Sequence, residues 1–177
     1  QRQMCIRDRR EEGNNVVVTA NYKLGCFDQA VWTIAPDGTA AIDFTYNFSG
    51  VVDLMGVMFD YPEDKVLSKR WVGDGPYRVW QNRLHGPQLG VWENEYNDPI
   101  PAESFTYPEF KGYFANVQWM TLKTQEGTIS ICNRTPQNYV GVYQPRDGRD
   151  GLLYTFPATG ISLMKVIPVS YTHLTLP

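Results

Sequence analysis

Apolar and polar residues alternate along most of this chain. The period is two, which sets one face of a β-strand on a core and the other in water. Residues 16–24 place Val16, Val18, Ala20, Tyr22 and Leu24 on one face. A second strand is expected over 29–35, around Trp32 and Ile34. Pro36-Asp37-Gly38 then supplies a turn, Pro presetting φ and Gly accepting a positive φ. Over 39–48, Ala40, Ile42, Phe44, Tyr46 and Phe48 face one way, and Ala41, Asp43, Thr45 and Asn47 the other. That is a hairpin whose second strand is buried on one side only.

Further strands are expected over 54–60, 66–71, 88–92, 112–123, 128–132, 138–143 and 160–167. The longest carries Tyr113, Ala115, Val117 and Trp119 on one face, and Gln125-Glu126-Gly127 turns it into the next. No window of helical length shows an i, i+3, i+4, i+7 apolar stripe free of Pro and Gly, so no helix is expected. Short strands separated by turn signals indicate an all-β, antiparallel sandwich. The Pro-rich stretch from Gly86 to Phe110 reads as a long surface loop.

The two ends depart from this pattern. Residues 1–10 show no strand or helix period, and 169–177 stop without a polar cap. Both resemble translated sequencing-adapter read-through, so they are set aside as segments foreign to the fold. The expected organisation is therefore an artefactual 1–10, one sandwich domain over 11–168 cut on both sides, and an artefactual 169–177. Cys5 and His173 then carry no biology.

Composition narrows the classes. The chain has 177 residues, 42% hydrophobic and 20% charged, enough to bury a core. It is too short for a complete (β/α)₈ barrel, which takes about 200–250 residues. Its longest apolar run falls far short of a membrane span, and no signal peptide is visible. Net charge is −3, and without residues 1–10 there remain 12 basic and 18 acidic residues, a net −6. That argues against a nucleic-acid surface, which needs a basic stripe. Cys5, Cys26 and Cys132 have no metal spacing. Cys26 and Cys132 could pair, and the compartment stays open.

Trp71-Val-Gly-Asp-Gly-Pro-Tyr-Arg-Val-Trp-Gln-Asn-Arg83 is the most informative segment. Gly73 and Gly75 bracket Asp74 before Pro76, which suggests a strand ending in a tight turn. Tyr77, Trp80 and Arg83, with Trp92 beyond, are candidate carbohydrate contacts, because aromatic faces accept sugar CH groups while Arg and Asn meet hydroxyls. The same residues suit a structural corner in which Trp80 covers the core edge and a carboxylate holds Arg83. The Gly-x-Gly is not a phosphate loop, since it lacks the third Gly, the Lys and a following helix.

Trp71-x-Gly73-x-Gly75-Pro76, Asn82-Arg83, Trp92, Tyr107-Pro108-Glu109-x-Lys-Gly112 and Trp119 fall in one order. That order resembles the C-terminal domain of bacterial glycoside hydrolase family 2 β-galactosidases, the small chain or domain five, over roughly residues 28–168. The resemblance implies a β-supersandwich of galactose-mutarotase-like type. It implies structural roles for the motif residues Trp71, Gly73, Gly75, Pro76, Asn82, Glu109, Gly112 and Trp119. It also implies that hydrolysis rests on two Glu of a catalytic barrel that this chain does not contain. The partners implied are that barrel and a galactoside-type carbohydrate, with no cofactor in this chain. A late-loop Trp that reaches the sugar in the best-known members has no counterpart after Trp119.

Two features invite a catalytic reading. Asn94-Glu95 matches the dipeptide that carries the acid/base in many retaining glycosidases, and Glu93 and Glu95 could share one side of a strand. Without the barrel strand, solvated surface carboxylates are the expectation. His85 could act as a general acid or base in a mutarotase-type site, with a Glu as its partner. No metal cluster is visible in the sequence. The favoured function is a non-catalytic domain of a β-galactosidase-like hydrolase, packing on the barrel and shaping the sugar pocket. The alternatives are a free-standing carbohydrate-binding module and an aldose 1-epimerase-like domain.

Overall fold

The computed structural model describes residues 4–22, 25–52, 54–62, 65–95, 112–135, 137–142, 160–167 and 169. The chain divides into two compact units, Gln1–Val51 and Val52–Pro177. Both are built from antiparallel strands, and among the described residues there is no α-helix. The all-β sandwich expectation is borne out.

The first unit is a meander of β1 (Met4–Glu12), β2 (Asn15–Tyr22), β3 (Phe27–Ile34) and β4 (Ala40–Tyr46), in that spatial order. Register confirms the faces read from the alternation. Val18 lies across from Trp32, and Trp32 across from Ile42; Ala20, Ala30 and Phe44 form the next line. Residues directly opposite share a face, so one side of β2–β4 is apolar. Phe27 ties its end together, with ring centroids 4.7 Å from Tyr22 and 5.4 Å from Tyr46. The β3–β4 turn forms as its residues dictate. Gly38 has φ 87°, and the Asp37 carboxylate accepts the Thr39 N–H at 2.8 Å.

β1 differs from expectation, because residues 1–10 were read as lacking a strand. The segment pairs along β2 from Met4 to Glu12. Pairing on a free sheet edge uses main-chain groups, so it does not require an alternating sequence. Arg9 and Glu11 stand opposite Val18 and Val16, so β1 adds charge to the face that is apolar on β2–β4.

The second unit contains β5 (Met55–Phe59), β6 (Val66–Gly75), β7 (Gln88–Glu95), β8 (Trp119–Thr124), β9 (Gly127–Cys132), β10 (Tyr139–Val142) and β11 (Ile161–Val166). These form two sheets, in orders β7-β6-β8-β9 and β10-β11-β5. They pack face to face over one core. Val66, Trp71, Met120 and Leu122 come from the larger sheet, Val140, Val142 and Ile161 from the smaller, and Phe114 and Val117 from the chain entering β8. This is a sandwich, in which each sheet buries one face against the other. A register shift between Val66 and Ser68 places Val66 on the same inward face as Trp71.

The structure changes three sequence expectations. β6 does not end before the glycines but runs through Gly75. The strand expected over 88–92 runs on to Glu95, into the stretch read as a loop, and residues 96–110 lie outside those described. The strand expected over 112–123 starts only at Trp119. Ahead of it Asn116 adopts φ 51°, which breaks the period of two. Tyr113, Ala115 and Val117 are buried, whereas Trp119 emerges on the opposite face, 36% exposed.

Candidate functional site

The Trp71–Pro76 segment forms a corner where three stretches of backbone meet. Trp71 is fully buried and rests on Phe114, with ring centroids 4.6 Å apart. Its Nε1–H donates to the Asp74 carbonyl at 3.1 Å, so the indole braces its own strand. Gly73 and Gly75 lie in extended backbone, so neither serves by adopting a positive φ. Each leaves room for a neighbour. A methyl at 73 would stand 2.9 Å from Val117 Cα and 3.0 Å from the Ala115 carbonyl oxygen. The 115–118 segment uses that space. The Asp74 N–H donates to the Ala115 carbonyl at 2.9 Å, and the Gln118 N–H to the Val72 carbonyl at 2.8 Å. A methyl at 75 would enter the Trp92 indole, 2.6 Å from Cδ1. The corner ends in a cis Gly75–Pro76 bond.

The same logic places Gly112. Its φ is +42°, and a methyl there would lie 2.6 Å from the Val79 carbonyl oxygen. Val79 and Tyr113 exchange both backbone hydrogen bonds, at 2.7 and 2.8 Å. That bridge ties the connection after Pro76 to the chain entering β8. The Asn116 side-chain amide donates to the Asp74 carboxylate at 2.5 Å and closes the corner on its outer side.

The sequence matches the family described as Beta galactosidase small chain over residues 2–173. The chain belongs to the beta-galactosidase small chain family. None of the curated proteins matches it.

In this small chain the four carbohydrate-contact candidates do not share one surface. Trp80 is 5% exposed and packs edge-on against Tyr113, with centroids 6.3 Å apart. Its carbonyl accepts the Arg83 N–H at 2.9 Å, closing a turn. Trp92 is half-buried against the core, and its Nε1–H donates to the Gln88 carbonyl at 3.1 Å. Tyr77, 47% exposed, and Arg83 stand in water on the 76–87 connection, as do Asn82 and His85. Of the motif residues, Trp71, Gly73, Gly75 and Gly112 are buried in the corner and Trp119 faces outward; Glu109 lies outside the described residues.

Glu93 and Glu95 share the outward face of β7, where they stand across from Arg70 and Ser68. Cys26 and Cys132 each carry a free thiol, the latter exposed. Among the described residues, no three His, Cys, Asp or Glu side chains are placed to hold a metal.

Two cations are buried, which the sequence reading did not foresee. Lys69 is 1% exposed on the inward face of β6, next but one to Trp71 and across from Asn94. Arg78 is 9% exposed, its guanidinium carbon 5.8 Å from the centre of the Phe114 ring. The alternation carried a signal for the first, since Lys69 occupies an inward position. It carried none for Arg78, which lies past the strand end.

Proposed function

We propose that this chain is the non-catalytic small-chain part of a β-galactosidase-type glycoside hydrolase. It packs on the catalytic barrel and shapes the mouth of a galactoside pocket. The supporting observation is the use made of the signature residues. Trp71, Gly73, Gly75 and Gly112 bring three backbone segments together. None of them presents an acid, a base or a nucleophile.

Glycoside hydrolysis takes two carboxyl groups facing each other across the scissile bond. Glu93 and Glu95 instead lie on one face of a single edge strand, beside a cation and a hydroxyl. On this reading the catalytic pair comes from the barrel. Tyr77 and Arg83, exposed beside the corner, are the side chains this domain offers to the sugar.

The test is made in the enzyme assembled from this chain and its catalytic part. Glu93→Gln and Glu95→Gln leave kcat on a nitrophenyl β-galactoside unchanged. A fall of about a hundredfold or more in either, the order expected when an acid or base is lost, overturns the reading. Tyr77→Ala or Arg83→Ala raises KM while kcat holds, as loss of uniform substrate binding does.

A further inference from the structure

Of the charged side chains on the 76–87 connection, Arg78 is buried while Arg83 and His85 are exposed. Arg78, Val79 and Trp80 are buried in succession. A strand with one wet face would turn every second residue to water, so this run is held from more than one side. Val79 is tied by its paired backbone bonds to Tyr113, and Trp80 packs against the Tyr113 ring. Arg78 lies over Phe114, its guanidinium carbon 5.8 Å from the ring centre. Phe114 is a fixed platform. It is fully buried, its ring rests on Trp71, and its backbone exchanges both hydrogen bonds with Val140, at 2.8 and 2.9 Å.

We infer that Arg78 is a positioning residue for its neighbour Tyr77. The inference rests on the pocket reading above, in which Tyr77 meets the sugar, and adds what holds Tyr77 in place. A guanidinium stays charged, and taking it out of water is costly unless the groups around it compensate. Its burial therefore confines the side chain to the seat that supplies them. The Phe114 ring supplies part of that compensation. Seated there, Arg78 fixes the backbone from which the exposed Tyr77 leaves the core. An unbranched apolar side chain would fill the same space without a single preferred seat.

The test is a double-mutant cycle in the enzyme assembled from this chain and its catalytic part, with a nitrophenyl β-galactoside as the probe. Each variant is checked by circular dichroism for an unchanged fold. Arg78→Met raises KM about threefold or more while kcat holds. Arg78→Lys keeps a cation over the ring but loses the planar fork, so its KM falls between those of wild type and Arg78→Met. In a Tyr77→Ala background, Arg78→Met raises KM no further, because the residue it acts through is gone. If Arg78→Met does not fold, Arg78→Lys takes its place in the cycle.

Four results overturn the inference. An unchanged KM in the Arg78 variant, where Tyr77→Ala raises it, leaves the pocket reading standing without this role for Arg78. An equal rise in KM with and without the Tyr77 side chain makes Arg78 a support of the fold at large. A fall in kcat at unchanged KM ties Arg78 to the chemical step. A KM unmoved by Tyr77→Ala removes the pocket role of Tyr77, and this inference with it.

Discussion

The Trp92 indole occupies the space that a side chain at Gly75 would fill: a Cβ on Gly75 would stand 2.6–2.8 Å from Cδ1, Cγ and Nε1 of the ring. Two signature positions 17 residues apart in sequence are thus one packing unit. Trp92 covers the core edge, and Gly75 is the floor beneath it. A tryptophan read from sequence as a sugar platform is held in place by a glycine read as a turn.

Gly75→Ala forces the Trp92 ring off this floor and strains its hydrogen bond to the Gln88 carbonyl. Overpacking of this kind costs about 1–3 kcal/mol. Urea unfolding followed by tryptophan fluorescence should show that loss, together with a shift in the native emission as the indole is displaced. Gly75→Ala with unchanged stability and emission would mean that the two residues are not packed as described.

Gly112→Ala should cost more. Here the obstacle is the Val79 carbonyl oxygen, 2.6 Å from the new methyl, and φ is +42° besides. Backbone cannot swing aside as an indole can, and a β-carbon in left-handed backbone adds its own strain. The expected loss is about 2–4 kcal/mol, from overpacking and backbone strain together. The comparison of the two alanine variants by urea midpoint checks the order.

Much of the fold was legible because alternation survives wherever a strand has one wet face. Val18, Trp32 and Ile42 were assigned to apolar faces separately and meet in register. The 112–123 stretch failed because the backbone leaves the extended region at Asn116, and by Trp119 the faces have been exchanged. No local periodicity announces such a switch. The site was legible as a motif but not as a geometry. Gly73 and Gly75 read as a turn because sequence shows only that a side chain is missing, not which neighbour takes its place. Trp80 read either as a cover of the core edge or as a sugar contact, and Trp92 as a sugar contact, because the residues they pack on, Tyr113 and Gly75, lie 33 and 17 residues away.

The turn joining β8 to β9 should give stability a dependence on acid. Lys65 donates to the Glu126 carboxylate, Tyr61 Oη–H donates to it at 3.3 Å, and the carboxyl is held below its ordinary value of 4.5. The Lys65 hydrogen bond is the main cause, opposed by desolvation and reinforced by the Lys65 charge and the Tyr61 hydrogen bond. A carboxyl lowered in the folded state contributes stability above its unfolded value. That contribution is lost as pH falls through the folded value. Melting temperatures of wild type and Glu126→Gln should therefore differ at neutral pH and converge below pH 4.5. A gap that persists in acid would assign the effect to something other than this charge.

Removing residues 1–10 should leave the Val52–Pro177 unit unaffected. β1 pairs through its backbone along the β2 edge, and Arg9 and Glu11 face Val18 and Val16 where a native partner would be expected to place apolar residues. We propose that residues 1–10 are foreign to the native domain even though they pair along β2 and fall within the family match. A chain beginning at Glu11 should retain the near-ultraviolet circular dichroism of the buried tryptophans and the same unfolding transition for that unit. A large fall in either would make the opening strand an integral part of the domain.

The most direct measurement is turnover of a nitrophenyl β-galactoside by this chain, by the catalytic part of its glycosidase, and by the two together. The account predicts no hydrolysis by this chain alone and more by the mixture than by the catalytic part alone. Hydrolysis by this chain alone, or a mixture no more active than the catalytic part, would contradict it.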